Sequence, residues 1–152
     1  MKTLIAYYSR GGVTAKAAKK LQELTGGNLF EITGEKNYGG YFTALRIARK
    51  EFSENELPKV TNKVEDFDSY NRILLGFPIW YSRCPQLVVS FLSQYNLAGK
   101  EIYPFCTSGT SGPDPAVELL KKNCEGAAVH SGLRLNKVDE VKIKKWLGGK
   151  TA

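Results

Sequence analysis

The sequence predicts an open, parallel α/β sheet with helices on both faces, and three observations predict it. Five short apolar runs alternate along the chain with segments whose apolar residues recur at helical spacing. The run from Lys2 to Tyr8 is nearly continuous rather than alternating, as in a strand covered on both sides, and Arg72-Ile-Leu-Leu-Gly-Phe77 reads the same way. The first and fourth runs are followed by hydroxyl- and glycine-bearing loops, and the third by a loop with two adjacent aromatics. In such sheets ligands bind beyond the carboxyl ends of the strands, where the strand order reverses.

The elements follow in order. After the first strand, Thr14 to Leu24 is predicted helical, with Ala17, Ala18, Leu21 and Leu24 on one face and Gly26-Gly27 as its stop. Leu29-Phe-Glu-Ile32 alternates and reads as an edge strand. Tyr41 to Phe52 is helical with Leu45, Ala48 and Phe52 inward, and Pro58 opens a polar connection to Asp68. The strand from Arg72 is followed by a helix in which Pro85 occupies the first turn and Leu87, Val88, Phe91, Leu92 and Tyr95 keep the period. Glu101 to Cys106 is the fourth strand, Asp114 to Asn123 a helix capped by its aspartate, and Ala127 to Leu135 a fifth strand with Gly132 inside it. Val138 to Leu147 closes the set as an amphipathic helix whose Trp146 is assigned to the core. Right-handed crossovers then place helices on both faces.

Composition narrows the class. At 152 residues the chain is expected to form a single domain, residues 1–152, large enough to bury about two thirds of its unfolded surface. No apolar run approaches the roughly 20 residues of a membrane span, and Met1-Lys-Thr leads into a strand rather than a signal segment, so a cytoplasmic protein is expected. Cys84, Cys106 and Cys124 suit neither a disulfide framework nor a metal site and are read as reduced thiols. The net charge of +7 arises from scattered pairs such as Lys19-Lys20 and Lys144-Lys145, which read as solvated helix faces rather than a nucleic-acid surface. His130 is the sole histidine and lies in the fifth strand, away from the expected pocket, so its role is read as structural.

The three loops carry the chemistry. Ser9-Arg-Gly-Gly-Val-Thr14 runs from an apolar strand into a helix start, whose free N–H groups and positive dipole end make an anion site. Pro78-Ile-Trp-Tyr-Ser-Arg-Cys-Pro85 supplies adjacent aromatics between two prolines, and Thr107-Ser-Gly-Thr-Ser-Gly112 is small and polar. A phosphate at one end and a flat ring at the other is the ligand such a set recognises. Other occupants of the architecture lack their residues here. Tyr7-Tyr8 and Phe77-Pro78 replace the acids of a phosphorylated receiver, the first loop has no cysteine for phosphatase chemistry, and no Gly-x-Gly-x-x-Gly is present.

Gly76-Phe-Pro-Ile-Trp80 and Pro104-Phe-Cys-Thr-Ser108 resemble the flavodoxin-like family, in particular short bacterial flavodoxins whose third strand runs into Gly-x-Pro-Ile-Trp and whose fourth ends in Pro-Phe-x-Thr-Ser. The resemblance spans the chain and includes Phe91-Leu92 and Gly99-Lys100. It implies a three-layer sandwich with strand order 2-1-3-4-5 and non-covalent FMN. By that resemblance Ser9, Arg10, Gly11, Gly12, Val13, Thr14 and Ala15 surround the phosphate. Pro78, Ile79, Trp80, Tyr81, Ser82 and Arg83 form the isoalloxazine loop, and Thr107, Ser108, Gly109, Thr110 and Ser111 run along the ring's polar edge. Gly11 stands where relatives often carry Thr and Val13 where they often carry Asn, which removes one phosphate hydroxyl. Ser82 stands where Gly is frequent, and Gly reaches the flipped peptide that accepts from the flavin N5–H with less strain than Ser.

Two functions are consistent with these residues. One is a small oxidoreductase passing electrons from NADH or NADPH to a quinone or similar acceptor. The other is an electron carrier that docks on redox partner proteins without turning over a substrate. Carrier flavodoxins tend to be acidic and dock by complementary charge, whereas this chain is basic, which favours the enzyme. No side chain is assigned a catalytic or metal-binding role, because flavin chemistry belongs to the cofactor.

Overall fold

The computed structural model describes residues 2–148. Strands β1 (Thr3–Tyr7), β2 (Asn28–Glu31), β3 (Arg72–Pro78), β4 (Glu101–Thr107) and β5 (Ala128–Val129) form a parallel sheet in the order β2-β1-β3-β4-β5, the order the resemblance implies. Five helices connect or follow them: α1 (Val13–Thr25), α2 (Tyr41–Ser53), α3 (Gln86–Ser93), α4 (Asp114–Lys121) and α5 (Glu140–Trp146). Among the described residues, no helix is long and apolar enough to cross a membrane.

The strand period of two divides the apolar residues between two cores. Leu4, Ala6, Ile73 and Leu75 face one side, where Leu87 and Phe91 of α3 and Leu120 of α4 cover them. Ile5, Tyr7, Leu74 and Phe105 face the other, against Ala17 and Leu21 of α1 and Ile143 of α5. Both faces of the central strands are dry, which is why their sequence does not alternate.

Four expectations are corrected. The fifth strand is broken: Ala128–Val129 pairs with Glu101-Ile102, and a separate β6 (Leu133–Arg134) pairs with Phe105-Cys106 of the same β4. A Cβ on Gly132 would lie 2.8 Å from Val117 and 2.9 Å from Pro113, so α4 presses against the break. The Ser131 carbonyl freed there accepts from Trp146 Nε1 at 2.8 Å, giving that tryptophan a role at the break as well as against the core. Asp114 is the first residue of α4 rather than its cap, and the position before it is Pro113 with no side-chain cap bond. The last helix starts at Glu140, with Asp139 as the aspartate cap that accepts from Lys142 N at 3.2 Å.

The fourth correction concerns α2. Its most buried residues are Ala44, Ala48 and Glu51, while Leu45 and Phe52 are only half-buried. Glu51 is 1% exposed, and Tyr38 Oη donates to its carboxylate oxygens at 2.8 and 3.0 Å while Lys36 Nζ donates at 2.8 Å. Lys36 also bonds Glu56. Burial pulls the Lys36 ammonium down, but the hydrogen bonds and charges of Glu51 and Glu56 carry it above its ordinary value of 10.5. A folded pKa above the unfolded one contributes stability that is complete below pH 10.5 and lost as pH rises through the folded value. The stability gap between the wild type and Lys36→Met, read from urea midpoints, is therefore expected to narrow above that pH. A gap independent of pH would show that the ion pair contributes nothing.

Candidate functional site

The anion end of the site is built by the turn from β1 into α1. Gly12 precedes the helix at φ 98°, a left-handed conformation that favours glycine, and its N–H donates to Ser9 Oγ at 3.0 Å. Ser9 thus keeps its own hydroxyl hydrogen for a ligand. The first helical turn carries no acidic residue and no side-chain cap bond, leaving its N–H groups and dipole available to an anion. Nothing lies within 4 Å of where a Cβ would stand on Gly11 or Gly12, so the backbone can be approached closely. Thr14 is buried, and its hydroxyl shares a 2.8 Å hydrogen bond with that of Thr107 at the end of β4. Two hydroxyls joined by one bond retain one O–H between them to donate.

The other walls come from β3 and β4. Ile79 N donates to Thr107 O at 2.9 Å, which fastens the loop after β3 to the end of β4. Trp80 is 3% exposed and sits in an aromatic nest, its ring centroid 5.8 Å from Tyr8 and 5.5 Å from Tyr38. Burial pushes the Tyr8 phenol up to about 12, so it remains protonated at neutral pH. Opposite the apolar wall, Ser108 N donates to Asn136 Oδ1 at 2.9 Å. Arg134 donates from Nε to Ser108 Oγ at 3.1 Å and from Nη2 to the Ser108 and Gly109 carbonyls at 2.8 and 2.9 Å. Together these surfaces enclose about 580 Å³, counting the solvent at the mouth, and no carboxylate lines the space. A phosphate monoester joined to a flat ring with one apolar and one polar edge matches this donor set.

Ser9, Arg10, Gly11, Val13, Thr14, Pro78, Ile79, Trp80, Thr107, Ser108 and Gly109 are brought together around this cavity. Gly12 and Ala15, in the turn and first helical residues, do not line it, nor do Thr110 and Ser111 further along the last loop. Tyr81, Ser82 and Arg83 do not line it either: after Trp80 the chain reverses in a tight hairpin and carries Tyr81 and Arg83 around a separate depression. Tyr41, with the Arg10 guanidinium 5.9 Å from its ring centroid, and Asn136 line the cavity and were not anticipated. Neither has a motif of its own; one opens α2 and the other follows the broken fifth strand. Cys84 is buried, and burial raises its thiol to about 12, so it is no reactive thiolate. His130 stacks on Tyr103 at 4.0 Å and bonds Glu101 at 3.1 Å, at the far end of β4 from the cavity.

The hairpin itself is strained. Trp80 and Arg83 exchange both backbone hydrogen bonds at 3.0 Å, and the two residues between them, Tyr81 and Ser82, have φ of 52° and 60°. The serine therefore occupies the left-handed conformation that its side chain opposes, held there by the two closing bonds. Ser82→Gly is expected to raise stability by about 0.5–1 kcal/mol through relief of this strain, measured as the urea midpoint. An unchanged or lower midpoint would mean the turn is unstrained.

The flavodoxin family matches residues 2–150 of the chain. A candidate flavoprotein from Bacteroides uniformis superposes with a TM-score of 0.86 at 32% identity, covering 97% of this chain and 97% of its own. Another, from Bacteroides eggerthii, gives 0.82 at 31% identity, covering 97% and 96%. A Lactobacillus acidophilus flavoprotein solved in complex with FMN gives 0.82 at 26% identity, covering 96% and 98%. No curated protein matches.

Proposed function

The chain belongs to the flavodoxin family, and from that premise we propose that it holds FMN in the cavity between β1, β3 and β4 and passes electrons from a nicotinamide nucleotide to a quinone or similar acceptor. The observation that carries this reading is the convergence, on one cavity, of an anion-binding helix start, an apolar wall at Pro78-Ile-Trp80 and a polar loop at Thr107-Ser-Gly109. FMN supplies the redox chemistry when bound. Ser9, the one O–H that the Thr14–Thr107 pair has left to donate and the free N–H groups of α1 bind its phosphate. Ile79 and Trp80 wall one side of the ring, and Ser108 and Gly109 hold its polar edge. The net charge of +7 favours the anionic, fully reduced flavin. It thereby draws the two one-electron potentials together, as two-electron transfer requires.

Two measurements test this. Titration should show FMN bound more tightly than riboflavin, and Thr14→Val should erase about tenfold of that preference, roughly one hydrogen bond to a charged group. Equal affinity for the two flavins would remove the phosphate role of the first loop. Steady-state oxidation of NADH or NADPH with a quinone should exceed that of free FMN in the same buffer. If it does not, while a reductase exchanges single electrons readily with the bound flavin, the chain is a carrier that docks on redox partner proteins.

A further inference from the structure

On the far side of the Trp80–Arg83 hairpin, Arg49 and Phe52 of α2 meet Tyr81 and Arg83 around an open depression of about 550 Å³, counting solvent. The Phe52 and Tyr81 rings stand edge to face with centroids 6.2 Å apart, and the Arg83 guanidinium lies 4.3 Å from the Phe52 ring centroid. No carboxylate lines this depression. Among the described residues neither Arg49 nor Arg83 has an ion-pair partner. Tyr81 is half exposed, and its backbone is left-handed, a costly arrangement for a bulky residue.

We infer that this depression receives the phosphorylated adenosine end of the nicotinamide nucleotide and favours the 2′-phosphorylated form; the inference rests on the donor named in the proposed function. A nucleoside brings a flat ring for the aromatic pair, and its phosphates bring the anion that two unpaired guanidinium forks recognise. Arg49 comes from the helix and Arg83 from the hairpin, and both line the same depression. The placement also suits electron transfer. Tyr81 follows Trp80 directly in the chain, yet Trp80 lines the flavin cavity and Tyr81 the depression. A dinucleotide anchored at Tyr81 therefore needs only to cross the hairpin edge for its other end to reach the flavin.

The test is calorimetric titration of the FMN-loaded protein with 2′,5′-ADP and with 5′-AMP, probes that carry no redox chemistry. The expected result is tighter binding of 2′,5′-ADP. Arg49→Gln should weaken it by roughly tenfold, one charge-assisted contact, with FMN affinity unchanged. Lys50→Gln removes the same charge from the next residue of α2, outside the depression, and should bind like the wild type. Absent binding, equal affinity for the two nucleotides, an unaffected Arg49→Gln or an equal loss in Lys50→Gln would each overturn the inference. In turnover, Arg49→Gln should raise KM for NADPH and leave kcat unchanged. Arg49-dependent binding of 2′,5′-ADP without oxidation of NADPH or NADH would keep the nucleotide site and reject the proposed electron donor.

Discussion

Gly76→Ala is expected to destabilise the fold by about 3 kcal/mol, the upper end of the range for overpacking a well-filled core. Gly76 lies in β3 between Tyr7 of β1 and Phe105 of β4. A Cβ there would overlap the Phe105 ring, whose nearest atoms fall well inside contact distance. The ring has nowhere to withdraw, because Phe105 is fully buried among the residues of α1 and α5 and meets Trp146 at 6.5 Å. Close-packed interiors convert one added methyl group into displaced strands or off-rotamer side chains. The urea midpoint should fall accordingly. Gly109→Ala provides the contrast, since nothing lies within 4 Å of its Cβ position and its φ is not in the left-handed region; it is expected to leave stability nearly unchanged. Equal midpoints for Gly76→Ala and the wild type would show that the sheet yields where the geometry says it cannot.

Gly76 also shows what kind of signal a motif holds. In Gly76-Phe-Pro-Ile-Trp80 the last three residues line the cavity, while the glycine answers to a phenylalanine on the neighbouring strand. The signature is thus part site and part packing. Its packing half belongs to Phe105, within the second signature, Pro104-Phe-Cys-Thr-Ser108.

The sheet was legible because its strands are buried on both faces and read as apolar runs, and the cavity because the loops after β1, β3 and β4 meet wherever such a sheet places its carboxyl ends. What escaped depends on contacts distant in sequence. The break in the fifth strand comes from α4 pressing on Gly132 and from Trp146 satisfying Ser131; locally the segment still reads as one strand. Glu51 sits on the face of α2 where periodicity demands an apolar residue, and only Lys36 and Tyr38, more than ten positions earlier, make its burial tolerable. The direction of Tyr81 was beyond reach for a different reason. Two adjacent aromatics between prolines suggest one shared task, whereas a hairpin with two left-handed residues separates their side chains onto two surfaces.

Arg134 was equally hidden, in the segment that reads as an ordinary strand, and its replacement should produce the second large effect. Its guanidinium bonds Ser108 Oγ and the carbonyls of Ser108 and Gly109, fixing the loop that faces the polar edge of the flavin in the proposed site. It also places a positive charge beside that edge, and FMN reduced by two electrons is an anion at neutral pH. Geometry and charge can be separated by two substitutions. Arg134→Gln removes both, so FMN affinity should fall by roughly tenfold or more as the loop loses its charge-assisted bonds. The two-electron midpoint potential should also drop by about 30 mV, the equivalent of a tenfold change in the relative affinity for reduced and oxidised flavin. Arg134→Lys keeps the charge but not the planar fork, so affinity should fall while the potential stays near that of the wild type. Added salt should shrink the potential shift of Arg134→Gln, since the side chain is exposed, and leave the affinity loss that comes from loop geometry. If Arg134→Gln moves neither quantity, or Arg134→Lys shifts the potential as far as Arg134→Gln does, then the loop after β4 does not hold the flavin edge and the ring must lie elsewhere in the cavity.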